Sequence, residues 1–188
     1  MATTTTSQPP VLPDPPRDPA TISAQDSSLT FPHFTATDAW ELGSLLRTKL
    51  LAFPTATVIN ISLANSQLLF HTVTHPGAVV PDNDHWVARK RKTVLRFGQS
   101  TWFMHNKFAG DEVAFAAKFG LGGSAGEYAI HGGGWPIRVK GVEGVVAVVV
   151  CSGLKQHEDH MIVVQTVGEY LHELGLQVAL ELEKRKED

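Results

Sequence analysis

His131 stands directly before Gly132, Gly133 and Gly134, and Trp135-Pro136 follows at once. An imidazole titrates near neutrality, so one placed beside such permissive backbone can accept a proton or ligate a metal. The glycines do not form a Walker loop, because no Gly-Lys-Ser/Thr follows them. They are not a dinucleotide fingerprint either: the next element reads as a strand, whereas a pyrophosphate site uses a helix N-terminus. Two readings stay open. The run is a corner where positive φ or close approach of another segment excludes a side chain, or it cradles a ligand. In both, Pro136 pushes Trp135 out of the helical region, so the chain leaves the corner extended.

A second cluster is Arg89-Lys90-Arg91-Lys92. Residues 82–97 predict a helix capped by Asp82 or Asn83, with Trp86, Lys90, Thr93, Val94 and Phe97 on one side. Successive helical residues lie about 100° apart, so Lys90 faces inward with Arg89 adjacent, and Arg91 and Lys92 face water. A cation on an apolar side needs a counter-charge. It is an anionic ligand met by Arg89 or Lys90, or else an acidic residue of the fold or of a neighbouring subunit. Arginine suits a carboxylate bidentately, while lysine acts as a point charge.

The other reactive residue types carry less. His71 and His75 sit at a strand end and its loop, where helical i, i+4 metal geometry is unavailable. His157 and His160 fall at the start of the last helix, either sharing a face or serving as solvated capping. His160 is the second candidate base after His131, and His85 lies beside Trp86. Ser124 and Ser152 lack a nucleophile elbow. Cys151 is the sole cysteine, so no intramolecular disulfide forms, and its apolar neighbours make it a buried hydrophobe. No metal site is expected.

The elements that must position these groups follow from pattern. With 188 residues and a net charge of −3, the chain has room for one core and no basic footprint for nucleic acid. Its most apolar run, 145–151, is too short to span a bilayer, and the opening residues lack a signal peptide; a cytoplasmic protein is expected. Residues 1–30, rich in threonine and proline, read as a disordered tail ahead of a domain at 31–188. A helix over 35–53 is capped by Thr35 or Thr37 and stopped by Pro54. A hairpin over 56–73, the helix at 82–97, a short helix capped by Asp111, flexible linkage at 120–127, and strands at 127–131, 135–140 and 143–151 come next. A long amphipathic helix at 156–184 closes the chain. The expected fold class is α+β, a five-stranded antiparallel sheet with flanking helices.

The run from Gly133 through Gly134, Pro136, Ile137, Gly141, Gly144, Ser152 and Gly153 to Asp159 resembles the signature of the GlcG/HbpS-like family, also labelled the haem-degrading or PduO C-terminal-like domain. Trp86, Arg89, Lys90 and Phe97 match its Lys-containing middle helix, and the Pro81-to-Trp86 entry is most similar to its uncharacterised branch. The resemblance covers about residues 31–183. It implies a profilin-like α-β-α fold, assembly into a homo-oligomer (a dimer or larger ring), and association with haem or a related tetrapyrrole, with no axial residue assigned by motif. The expectation is an oligomer that binds a small anionic ligand, haem first among the possible cofactors. Its pocket would use Trp86, Arg89, Lys90, His131, Gly133, Gly134 and Pro136, with His131 the preferred iron ligand or acid–base group. The alternatives are an adaptor oligomer docking other proteins through the tail, and a small enzyme on a carbonyl or carboxylate substrate with His131 or His160 as base.

Overall fold

The computed structural model describes residues 10–77 and 79–187, with side chains through residue 175. Helix α1 is Pro19–Ser28, α2 Ala36–Leu50, α3 Asp82–Phe97, α4 Thr101–Lys107, α5 Glu112–Lys118 and α6 Gln156–Glu187. Strands β1 (Val58–Leu63), β2 (Leu68–Val73), β3 (Gly134–Ile137) and β4 (Ala147–Ser152) form one antiparallel sheet in the order β2-β1-β4-β3.

Both faces of the two central strands are covered. Ile59, Ile61, Val149 and Cys151 point toward α2 and α6, meeting Leu42, Leu46, Val163 and Val167. Val58, Val148 and Val150 point the other way, onto Val87 and Val94 of α3. Strand alternation thus splits one hydrophobic run between two cores. A satellite core of Met104, Phe115, Leu121, Tyr128 and Ile130 lies under α4 and α5.

Local chemistry explains the helix limits. Thr35 and Asp38 form a reciprocal capping box at the start of α2. Gly98, at φ 63°, closes α3 and donates to Val94 O. Within α2, Gly43 leaves room for Phe70, whose ring carbons would lie 2.5 Å from a β-carbon there.

Four expectations are corrected. The sheet has four strands among the described residues, not five. Residues 127–131 do not join it, although 128–130 are buried, and the Ala129 amide donates to Thr93 Oγ1 at 3.1 Å instead of to a neighbouring strand. Beyond β3 the only addition is a parallel bridge between Phe31 and Val139. Second, the tail is not solvated throughout. Asp18 caps α1, Ile22 is fully buried, and the Trp102 and Trp135 indoles donate to Pro16 O (2.8 Å) and Asp26 Oδ1 (2.9 Å). Buried indole N–H groups need acceptors, and this segment supplies two; residues 1–9 lie outside the described part. Third, α4 occupies a stretch assigned to no element, and a 3-10 helix at Gly122–Glu127 replaces the flexible linkage. Fourth, Arg91 does not face water: its guanidinium donates to Ser62 Oγ at 2.7 Å and Leu63 O at 2.8 Å across the sheet.

Candidate functional site

Helix α3 runs across the sheet so that Lys90 lies under the end of β4. Its ammonium donates to Cys151 O at 3.0 Å and to Asp159 Oδ2 at 3.2 Å, and both side chains are 3% exposed. Asp159 sits in the first turn of α6 and also accepts from the amides of Leu154 (3.0 Å) and Gly153 (3.4 Å). Burial pushes the Asp159 carboxyl up, while Lys90 and those amides pull it back. Of the two readings for Lys90, an acidic residue of the same fold is the counter-charge.

The glycine run is what lets these segments meet. A β-carbon on Gly132 would come 2.1 Å from Gln156 O, and one on Gly133 2.2 Å from Cys151 O and 2.9 Å from Lys90 Nζ. One on Gly134 would lie 2.9 Å from Thr101 Cγ2. Gly133 also has φ 113°, where an L side chain is strained. The bare backbone is therefore filled by protein on every side, which is the corner reading. Gly133, Gly134 and Pro136 are buried and do not line the adjoining hollow; Pro136 sits in edge strand β3, where its missing N–H costs no sheet bond.

That hollow, of about 260 Å³, is bounded by Trp86, Lys90, His131, Ser152, Gln156 and Asp159, with Asn83, Gly153 and Leu154 completing it. The middle helix and the glycine corner thus lie side by side, as expected. The Trp86 and His131 rings meet edge to face, with centroids 5.0 Å apart. Arg89 stacks its guanidinium on the Trp86 ring at 4.5 Å and donates to Tyr128 O; it lines the neighbouring α5 side and not this hollow.

His131 is part-exposed, and its Nδ1 lies 3.4 Å from Glu112 Oε1. Burial holds its pKa below the usual value; Glu112 opposes this, and Lys90 and Arg89 reinforce it. A neutral imidazole at pH 7 is the form that accepts a proton or ligates a metal. His160, by contrast, is fully buried and absent from the lining. Its ring stacks on Trp102 at 5.9 Å, neither nitrogen has a hydrogen-bond partner among the described residues, and burial drops its pKa to about 3. It is not a solvated cap, and nothing brings it to the hollow. Cys151 is buried and its thiol is pushed far up, which removes it as a nucleophile. Among the described residues no cluster of three His, Cys, Asp or Glu is arranged to hold a metal ion, and no helix is long and apolar enough to cross a membrane.

Asp159 as the partner of Lys90 was not legible, because 69 residues separate them. Its place in a helix first turn reads as ordinary capping, and only its apolar successors, Met161 to Val164, hint that the turn is buried. Glu112, in the first turn of α5, reaches His131 only through the fold.

The sequence model described as "Haem degrading protein HbpS-like" matches residues 34–168. A UPF0303 protein of Streptomyces avermitilis is 39% identical over 168 residues, spanning 89% of this chain and 95% of its own. The UPF0303 protein YBR137W of Saccharomyces cerevisiae is 41% identical over 142 residues, spanning 74% and 76%. The crystal structure of Ybr137w superposes with a TM-score of 0.76 at 36% identity, covering 82% of this chain and 88% of that one. The crystal structure of HbpS gives 0.56 at 15% identity over 74% and 90%, a likeness of fold alone.

Proposed function

Because the chain belongs to the HbpS-like haem-degrading family, we propose that it is a small-ligand-binding protein whose hollow between Trp86, Lys90 and His131 receives an anionic group, with the carboxylate-bearing edge of haem or a related tetrapyrrole the leading candidate. One observation carries the reading. A neutral, part-exposed imidazole, an indole and the buried Lys90–Asp159 ion pair converge on one hollow at the N-terminal end of a long helix, where anions are favoured.

The residues fit a part of haem and not the whole. A volume of about 260 Å³ falls below the roughly 300–1,000 Å³ of pockets that bury a drug-sized ligand. One edge enters, and a second protomer supplies the remaining cover. Lys90 acts through the ion pair it keeps with Asp159, so the site recognises an anion by a polarised pair and not by a free cation. His131 contributes a neutral ring nitrogen at the rim of the hollow, able to hold a proton beside the bound carboxylate edge.

Hemin titration of the purified chain tests this. The expected result is a shifted Soret band, with affinity lowered about tenfold or more by His131→Ala, a loss of the size of one strong contact. No shift, or a shift untouched by both His131→Ala and Trp86→Ala, defeats the haem reading. Native mass spectrometry of the same sample reports the subunit number; a monomer that still binds hemin removes the second protomer from the proposal.

A further inference from the structure

A second hollow, of about 510 Å³, opens beside Arg89, between α5 and the 3-10 helix. Its wall is Phe115, Ala117, Gly126 and Tyr128 with further small residues, and the charged side chains in it are Arg89 and Glu112. Arg89 is unusually well fixed for a surface arginine. Its guanidinium stacks 4.5 Å from the Trp86 ring centroid and its Nε donates to Tyr128 O at 3.2 Å. Among the described residues its two terminal nitrogens donate no hydrogen bond. Glu112 Oε1 approaches one of them only to 3.9 Å, and the same oxygen lies 3.4 Å from His131 Nδ1.

We propose that this hollow is a binding site for a small aryl monocarboxylate, whose carboxylate takes the free edge of Arg89 while its ring lies against Phe115 and Tyr128. A guanidinium already oriented by stacking loses little freedom when a carboxylate docks bidentately. The volume falls within the usual range for small-molecule pockets. Phe115 and Tyr128, nearly buried and with ring centroids 6.4 Å apart at 65°, form the apolar floor of the hollow, and glycine and alanine line the rest of its wall. Glu112, half exposed, holds the Arg89 position loosely and is displaced by the incoming carboxylate. The hollow has its own lining, distinct from that at Lys90, and the two adjoin through Glu112, whose Oε1 also lies 3.4 Å from His131 Nδ1.

The probe is 1-naphthoate, with 1-naphthalenemethanol as its neutral counterpart, titrated calorimetrically at pH 7. Naphthoate binds more tightly than the alcohol by on the order of tenfold, the size of one charge-assisted contact. Arg89→Gln erases that preference, and Arg89→Lys, which keeps the charge and loses the fork, restores only part of it. Glu112→Gln tightens naphthoate several-fold. Gly126→Leu, where a β-carbon meets nothing within 4 Å, fills the hollow without strain and abolishes binding of both probes while leaving the circular dichroism unchanged. Equal affinity for the two probes overturns the proposal. So does an Arg89→Gln chain that keeps the preference, a Gly126→Leu chain that binds as the parent does, or the absence of binding at millimolar naphthoate.

Discussion

Replacing Lys90 by Met removes one cation and leaves Asp159 in place, 3% exposed and still held by the Leu154 and Gly153 amides. Two hydrogen bonds disappear, to Cys151 O and to Asp159 Oδ2. Breaking a buried pair from one side costs about 3–5 kcal/mol, because the surviving charge has no compensation. The cost carries a pH signature. Burial already raises the Asp159 pKa, and Lys90 is the main opposing influence. Without Lys90 the folded-state pKa rises further above that of the unfolded chain. A carboxyl with a raised folded pKa destabilises at high pH, and the penalty fades as pH falls toward the unfolded value, by at most about 1.4 kcal/mol per unit. Urea unfolding of the parent and Lys90→Met at pH 8, 6.5 and 5 reads this directly. The difference is largest at pH 8 and shrinks at pH 5, and Lys90→Met combined with Asp159→Asn regains at least half of it. A loss below about 1 kcal/mol at pH 8, smaller than one broken buried pair, refutes the reasoning. So does a loss independent of pH.

Other outcomes follow from single contacts. His160→Phe keeps the stacking on Trp102 and removes two unpaired ring nitrogens, so it is neutral or stabilising by about 1 kcal/mol in thermal unfolding at pH 7. Since burial lowers the His160 pKa from the usual 6.5 to about 3, the parent loses stability as pH falls below the upper value, and His160→Phe flattens that decline between pH 6.5 and 4. Gly43→Ala drives a methyl to 2.5 Å from the Phe70 ring and costs about 1–3 kcal/mol; adding Phe70→Leu recovers most of it, as urea midpoints will show. Trp135→Phe takes from Asp26 its indole donor and costs about 1–3 kcal/mol. Limited proteolysis then cuts within residues 19–28 faster than in the parent.

Legibility tracked the range of the interaction. Helix α2 was readable because its start is local: Thr35 and Asp38 cap each other within one turn. The inward face of α3 was readable from spacing, and Lys90, Thr93 and Val94 are indeed buried. Arg91 was misjudged because spacing cannot foresee that β1 ends with free acceptors, Ser62 Oγ and Leu63 O, within reach of a long side chain. Helix α4 has seven residues, too few for a periodic pattern, and its Ser100 cap resembles any loop serine. Segment 127–131 is apolar enough for a strand, but the place beside β3 is held by Phe31 through a single bridge. At the site, the triple glycine was visible as a demand for close approach. What approaches it, Gln156 O and Cys151 O, comes from segments that only the fold brings together.

The sheet order has a consequence for how the molecule is made. The two inner strands, Val58–Leu63 and Ala147–Ser152, are partners brought together across the long intervening stretch 64–146. Until the second of them leaves the ribosome, the first can form only an isolated hairpin with its neighbour, and such a hairpin is marginal in water. Assembly therefore waits for nearly complete synthesis, and the large closure entropy of that central pairing makes the step slow. Truncated products ending before residue 147 are left with an unprotected ladder edge, and they are natural clients for chaperones.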